Sequence, residues 1–210
     1  MNQEPNKERG WFYRNCANIV TMLRFPICFV LLWVVIYHRE WTSLILLLVT
    51  GACFTDWLDG CLAKGLKITS RFGAAADRLG DKLLLGIMFL FLILDGRIHI
   101  TLKIITIPMA VLETMLLLIW FMGVKRKMDV ATVKSTGKYG PGQIKMGLMS
   151  AGILFCLVNL IVEESWGPGY NLYATTLINI MFAISLFFAV KSYIAHRAKY
   201  RLQSSQLSAK

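Results

Sequence analysis

Residues 56–64 read Asp56-Trp57-Leu58-Asp59-Gly60-Cys61-Leu62-Ala63-Lys64, and residues 70–82 read Ser70-Arg71-Phe72-Gly73-Ala74-Ala75-Ala76-Asp77-Arg78-Leu79-Gly80-Asp81-Lys82. Four of the chain's twelve acidic residues fall in this stretch: Asp56, Asp59, Asp77 and Asp81. Apolar sequence borders it on both sides, from Leu44 to Phe54 and from Leu83 to Leu94. Residues three or four apart project from one face of a helix. The pattern therefore predicts two helices joined by a polar connection of about a dozen residues. Packed antiparallel, they would bring four carboxylates to one depth.

Outward from that stretch the chain is apolar in blocks. Of its 210 residues 56% are hydrophobic and 17% charged, against about 45–50% and about 25% in an ordinary soluble domain. The mean hydropathy is +0.57. This excludes a disordered chain, a collagen and a small disulfide scaffold, and it argues against a soluble enzyme with one round core. A membrane-spanning helix needs about 20 mostly apolar residues. Six windows qualify: residues 18–37, 41–63, 76–94, 98–122, 141–162 and 172–194. The expected fold is all-α and integral to the membrane. A tail and short interfacial helix are expected over 1–17, a six-helix domain over 18–195 and a basic tail over 196–210. The interfacial reading of Gly10–Ala17 rests on Trp11, Phe12, Tyr13 and Arg14, aromatics beside a base. The polar first ten residues are unlike a cleavable signal peptide, so insertion is expected to use the first span.

The net charge is +11, from 23 Lys and Arg against 12 Asp and Glu. The bases lie between apolar blocks, so they read as topology and contact with anionic lipid rather than nucleic acid. Lys64, Lys67, Arg71, Arg78 and Lys82 fall in one connection, and Lys125, Arg126, Lys127, Lys134, Lys138 and Lys145 in or beside another. The opposite connections hold few bases. The positive-inside rule then places both termini and both basic loops in the cytoplasm. The five cysteines are an odd number, lie in or beside apolar segments and form no CxxC. They read as small buried hydrophobes.

Four carboxylates gathered near hydrocarbon repel one another. Protonation relieves this, and so does binding of divalent cations. Hard oxygen donors in a cluster suit Mg²⁺ or Mn²⁺, and two such ions are a standard device for displacement at phosphorus. Gly60 leaves room for a large ligand at the backbone. Gly73 does the same, or lets two helices pack closely. Lys64, Lys67 and Arg71 can hold phosphate, and Ser70 offers a hydroxyl.

The string Asp56-x2-Asp59-Gly60-x2-Ala63-Lys64-x8-Gly73-x3-Asp77-x3-Asp81 resembles the signature of the CDP-alcohol phosphotransferase family. The six-span layout is similar to that family's fold as well, so the resemblance covers nearly the whole chain. Within the family the flanks look most like bacterial phosphatidylglycerolphosphate synthases. Those flanks are Ala17–Arg24, Thr55–Gly60, Arg71–Gly73 and Gly142–Lys145. The resemblance implies a homodimer in a bacterial inner membrane, with its active site at the cytoplasmic side. It implies two Mg²⁺ or Mn²⁺ ions: Asp56 and Asp77 touching both, Asp59 completing the first, and Asp81 binding the second and serving as catalytic base. It implies contact of Gly60, Lys64 and Ser70 with CDP-diacylglycerol, in a pocket that includes Gly73 and is lined from the first span by Thr21 and Asn18. Lys145, then Lys138 and Lys134, are the candidates for the phosphate of a small acceptor alcohol.

The implied reaction is phosphatidyl transfer to an acceptor hydroxyl, sn-glycerol 3-phosphate foremost, with release of CMP. The chain departs from the family pattern at Lys64, where Arg is usual, and from the synthases at Arg78, Gly80, Leu112 and Gln143. The departures leave the carboxylates intact and the acceptor open. Phosphatidylglycerol (in cardiolipin synthesis), an inositol phosphate and serine stay as alternatives. A cation transporter and a non-catalytic membrane scaffold are rivals of another class.

Overall fold

The computed structural model describes residues 11–66, 71–125, 140–166 and 171–208. Within them lie six helices and no strand: α1 (Trp11–Tyr37), α2 (Thr42–Leu66), α3 (Arg71–Leu94), α4 (Ile100–Lys125), α5 (Pro141–Trp166) and α6 (Asn171–Ser208). Among the described residues, three stretches are long and apolar enough to cross a membrane: Ile100–Gly123, Gly142–Ser165 and Tyr173–Ser205. Two shorter apolar stretches, Met22–Tyr37 and Thr42–Thr55, lie in α1 and α2. Each expected window falls within a helix to a few residues. The chain divides into two compact units, Met1–Ile87 and Met88–Lys210, with the division inside α3.

The helices extend beyond the expected spans in three places. The stretch read as a separate interfacial helix is the opening of α1, which runs unbroken from Trp11. The connection between α2 and α3 is four residues, 67–70, rather than about a dozen. Ala63, Lys64 and Ala74–Ala76 are good helix formers with no proline among them, so both helices continue into the polar segment. The C-terminal basic segment is helical to Ser208 as an extension of α6.

In the first unit α1 and α2 form a hairpin. Val34 O accepts from His38 N at 2.7 Å, and His38 O accepts from Trp41 N at 2.9 Å, closing the turn before Thr42. The His38 ring stacks on Trp41, 4.3 Å between centroids, and packs against Trp33 at 4.9 Å. Cys28, Leu31 and Val35 are buried on α1, and Ile45, Val49 and Ala52 on α2. Both sets follow helical spacing, so each helix has one packed face. Phe29, Val30, Trp33, Leu47 and Phe54 stay exposed on the others. Such an outward apolar surface suits contact with lipid. Cys28 and Cys156 are buried, as the apolar reading expects.

In the second unit α6 packs on both α4 and α5. The buried stripe of α6 is Ile178, Phe182, Ser185, Ala189 and Ser192, spaced four, three, four and three. That of α4 is Leu102, Thr106, Met109 and Glu113, on the same rhythm. This is the a/d pattern of a helix seam. Apolar side chains gain little by leaving lipid for a lipid-like seam, so close contact must supply the cohesion. Gly152 of α5 provides it: a Cβ there would stand 2.8 Å from Cε2 of Phe182. The Thr106 hydroxyl donates to Leu102 O at 2.8 Å, two residues before Pro108.

The turn between α3 and α4 is fastened by Arg97. Its backbone N and Nε donate to Asp95 Oδ1 at 2.9 and 3.1 Å, and Nη2 donates to Oδ2 at 2.7 Å. Nη1 reaches Glu164 at the end of α5, 3.1 Å away. The hydrogen bond to Asp95 holds the guanidinium above its ordinary range against the opposing effect of burial.

Candidate functional site

The end of α2 carries Asp56, Asp59, Gly60 and Lys64, and the beginning of α3 carries Gly73, Asp77 and Asp81. The helical spacing expected for both acid pairs therefore holds along the backbone: three residues within α2 and four within α3. The side chains of Asn18, Thr21, Asp56, Asp59, Lys64 and Asp77, and the site positions Gly60 and Gly73, lie outside those described. Ser70, Lys134 and Lys138 lie outside the described residues altogether. Among the side chains described, no group of three or more His, Cys, Asp or Glu is placed to hold a metal. Three of the four candidate ligands are not among them. The donor set itself, four carboxylates on two helices, fits a hard divalent cation.

Asp81 is described, and it is not isolated. Arg24 of α1 donates from Nη1 to Asp81 Oδ1 at 2.9 Å. The Arg24 side chain is 1% exposed, whereas that of Asp81 is 33% exposed. Burying an arginine charge demands a counter-charge, and Asp81 provides one while keeping an open side. In the sequence Arg24 served only as the end of the Ala17–Arg24 flank, with no role or partner attached to it. The missed signal is depth: Arg24 lies well inside the helix that begins at Trp11.

Lys145, the foremost candidate for an acceptor phosphate, is described too. It is buried on α5 and ion-paired with Glu113, which is buried on α4. Ser185 of α6 donates its hydroxyl to Lys145 O at 3.0 Å, so a third helix pins the same residue. Glu113 follows Leu112, one of the departures from the synthase pattern, and nothing local in the sequence names its partner. The available signal was its setting, an acid in mid-span that must find a cation.

A cavity of about 440 Å³ opens elsewhere in the second unit, among Arg97, Thr101, Asn159, Glu163 and Asn179. None of the candidate site residues lines it.

Comparison with known proteins adds a family. The family described as CDP-alcohol phosphatidyltransferase matches residues 14–191. A CDP-diacylglycerol–glycerol-3-phosphate 3-phosphatidyltransferase of Pseudomonas fluorescens is 35% identical over 92 residues, 42% of this chain and 46% of the relative. A probable phosphatidylglycerophosphate synthase of Mycobacterium tuberculosis is 36% identical over 76 residues, 34% of this chain and 36% of the relative. A chloroplastic protein of Oryza sativa, with the same kind of name as the first, is 31% identical over 87 residues, 41% of this chain and 26% of the relative. The matched stretches thus span less than half the length of these curated relatives.

Proposed function

This chain belongs to the CDP-alcohol phosphatidyltransferase family, and from that premise we propose that it is a membrane enzyme transferring the phosphatidyl group of CDP-diacylglycerol to sn-glycerol 3-phosphate. The observation that carries the reading is the complete spacing of Asp56, Asp59, Gly60, Gly73, Asp77 and Asp81 along two consecutive helices. The names of the relatives support the donor and the acceptor.

In this reading all six helices span the membrane, the aromatic start of α1 lies at its surface, and both termini face the cytoplasm of a bacterial cell. The protein acts as a homodimer. Asp56, Asp59, Asp77 and Asp81 hold two divalent ions, Mg²⁺ or Mn²⁺, which when bound stabilise charge on the pyrophosphate. Gly60, Lys64, Ser70 and Gly73, with Thr21 and Asn18, receive the nucleotide end of the donor. Lys64 does so as a point charge where Arg would give a two-pronged contact. Asp81 takes the proton from the acceptor's hydroxyl. The hydroxyl oxygen then bonds to the lipid-side phosphorus, the pyrophosphate bridge breaks there, and CMP departs with the bonding electrons. Lys145, Lys138 and Lys134 attract the acceptor's phosphate, and the surplus of bases concentrates anionic reactants near the membrane.

One observation favours a second reading, in which the same chemistry uses a different acceptor. Lys145 already has a carboxylate partner in Glu113, so an acceptor without phosphate has no need to displace it. The test is CMP release from CDP-diacylglycerol by purified protein, with a panel of acceptors. Release with sn-glycerol 3-phosphate supports the first reading. Release only with a non-phosphorylated alcohol supports the second, and no release with any acceptor refutes both.

A further inference from the structure

Arg24 reaches Asp81 from another helix, 57 residues away in sequence. Its stem passes over α3 at Gly80. A Cβ on Gly80 would stand 2.9 Å from Cδ of Arg24 and 3.3 Å from its Nη1. Any side chain there would collide with an arginine that, being buried, has little room to yield. The residue immediately before Asp81 therefore provides the passage through which Asp81 gains its partner. The terminal torsion of an aspartate is broad when nothing fixes it. A planar guanidinium immobilised by burial fixes it, and the carboxylate still keeps a third of its surface open.

We propose that Arg24 is a positioning residue for Asp81, admitted by Gly80, and that divalent-ion binding at the four aspartates depends on both although neither is a ligand. The proposal rests on the reading of those aspartates as the ion site. Groups that hydrogen-bond to ligating carboxylates orient them, and their loss weakens metal binding. The rival explanation is that Asp81 merely neutralises a buried arginine. Charge alone predicts the opposite sign from positioning, because removing a cation from beside a cation site strengthens ion binding. The informative variants therefore keep every charge: Arg24→Lys, which loses the fork geometry, and Gly80→Ala, which obstructs the passage.

The experiment is Mn²⁺ titration of the purified full-length protein, reading free ion by electron paramagnetic resonance. Thermal unfolding without metal is recorded in parallel. Each variant is expected to raise the Kd for Mn²⁺ about 10- to 100-fold while still unfolding cooperatively. The double variant is expected to bind no more weakly than the poorer single one, since both act through one contact. A Kd within twofold of wild type in either folded variant overturns the proposal. If Arg24→Lys fails to fold, Gly80→Ala decides alone; if neither folds, the contact is structural and the proposal falls. Failure of the wild-type protein to bind Mn²⁺ is a different result, which removes the ion site itself.

Discussion

The Arg24–Asp81 ion pair leaves one partner a third exposed, whereas the Lys145–Glu113 pair buries both. Each joins two helices at a depth where an unpaired charge is costly. They differ in what remains available. Asp81 can face a ligand while Arg24 holds it. Lys145 has its charge met by Glu113 and its carbonyl met by Ser185, so it first of all fixes α4, α5 and α6 together. An exposed carboxylate backed by a buried base suits chemistry; a closed pair suits architecture, and it must be shared before it can greet a substrate.

Four changes sharpen or break that contrast. The largest effect is expected from Asp81→Asn, which should lower CMP release at least 10²- to 10⁴-fold, the scale of a lost general base. The amide oxygen still accepts from Arg24 but no longer offsets its charge, so a lower unfolding midpoint is expected as well, and CMP release is compared at a temperature where the variant is folded. Retained turnover with Mg²⁺ would remove Asp81 from the chemistry. Next, Glu113→Ala should cost about 3–5 kcal/mol by stranding Lys145, read as a lower unfolding midpoint in detergent. Replacing both partners with apolar residues, Glu113→Leu with Lys145→Met, should recover most of that stability. If the double variant also keeps a normal KM for sn-glycerol 3-phosphate, Lys145 has no part in acceptor binding. Gly152→Ala should cost about 1–3 kcal/mol through its overlap with Phe182, with Phe182→Leu restoring part of the loss. The smallest effect belongs to Glu164→Gln at the exposed end of the Arg97 network, at most about 1 kcal/mol, with CMP release unchanged.

The six helices were legible because apolar runs of span length leave few alternatives. Their ends were less so. The opening of α1 is aromatic beside a base, a pattern that reads as a surface segment rather than as part of the span. The segments on either side of residues 67–70 are polar but hold good helix formers, and polarity hid their continuity. Pro26 and Pro108 sit inside unbroken helices and end neither. At the site, the acids were legible because the same residue type recurs at helical spacing in a chain poor in acids. Arg24, Gly80 and Glu113 were not, since each acquires meaning only from a partner on another helix. No local pattern links residue 24 to 81 or residue 113 to 145. What a sequence does offer is a question: a charge inside an apolar run must be matched somewhere.

The most direct trial of the account is CMP release from CDP-diacylglycerol with sn-glycerol 3-phosphate present, measured before and after divalent ions are stripped and then restored. Release that disappears with the ions, returns with Mg²⁺ or Mn²⁺, and is absent throughout in Asp81→Asn is the expected result. Release that persists without divalent ions, or that Asp81→Asn performs as well as wild type, would contradict it.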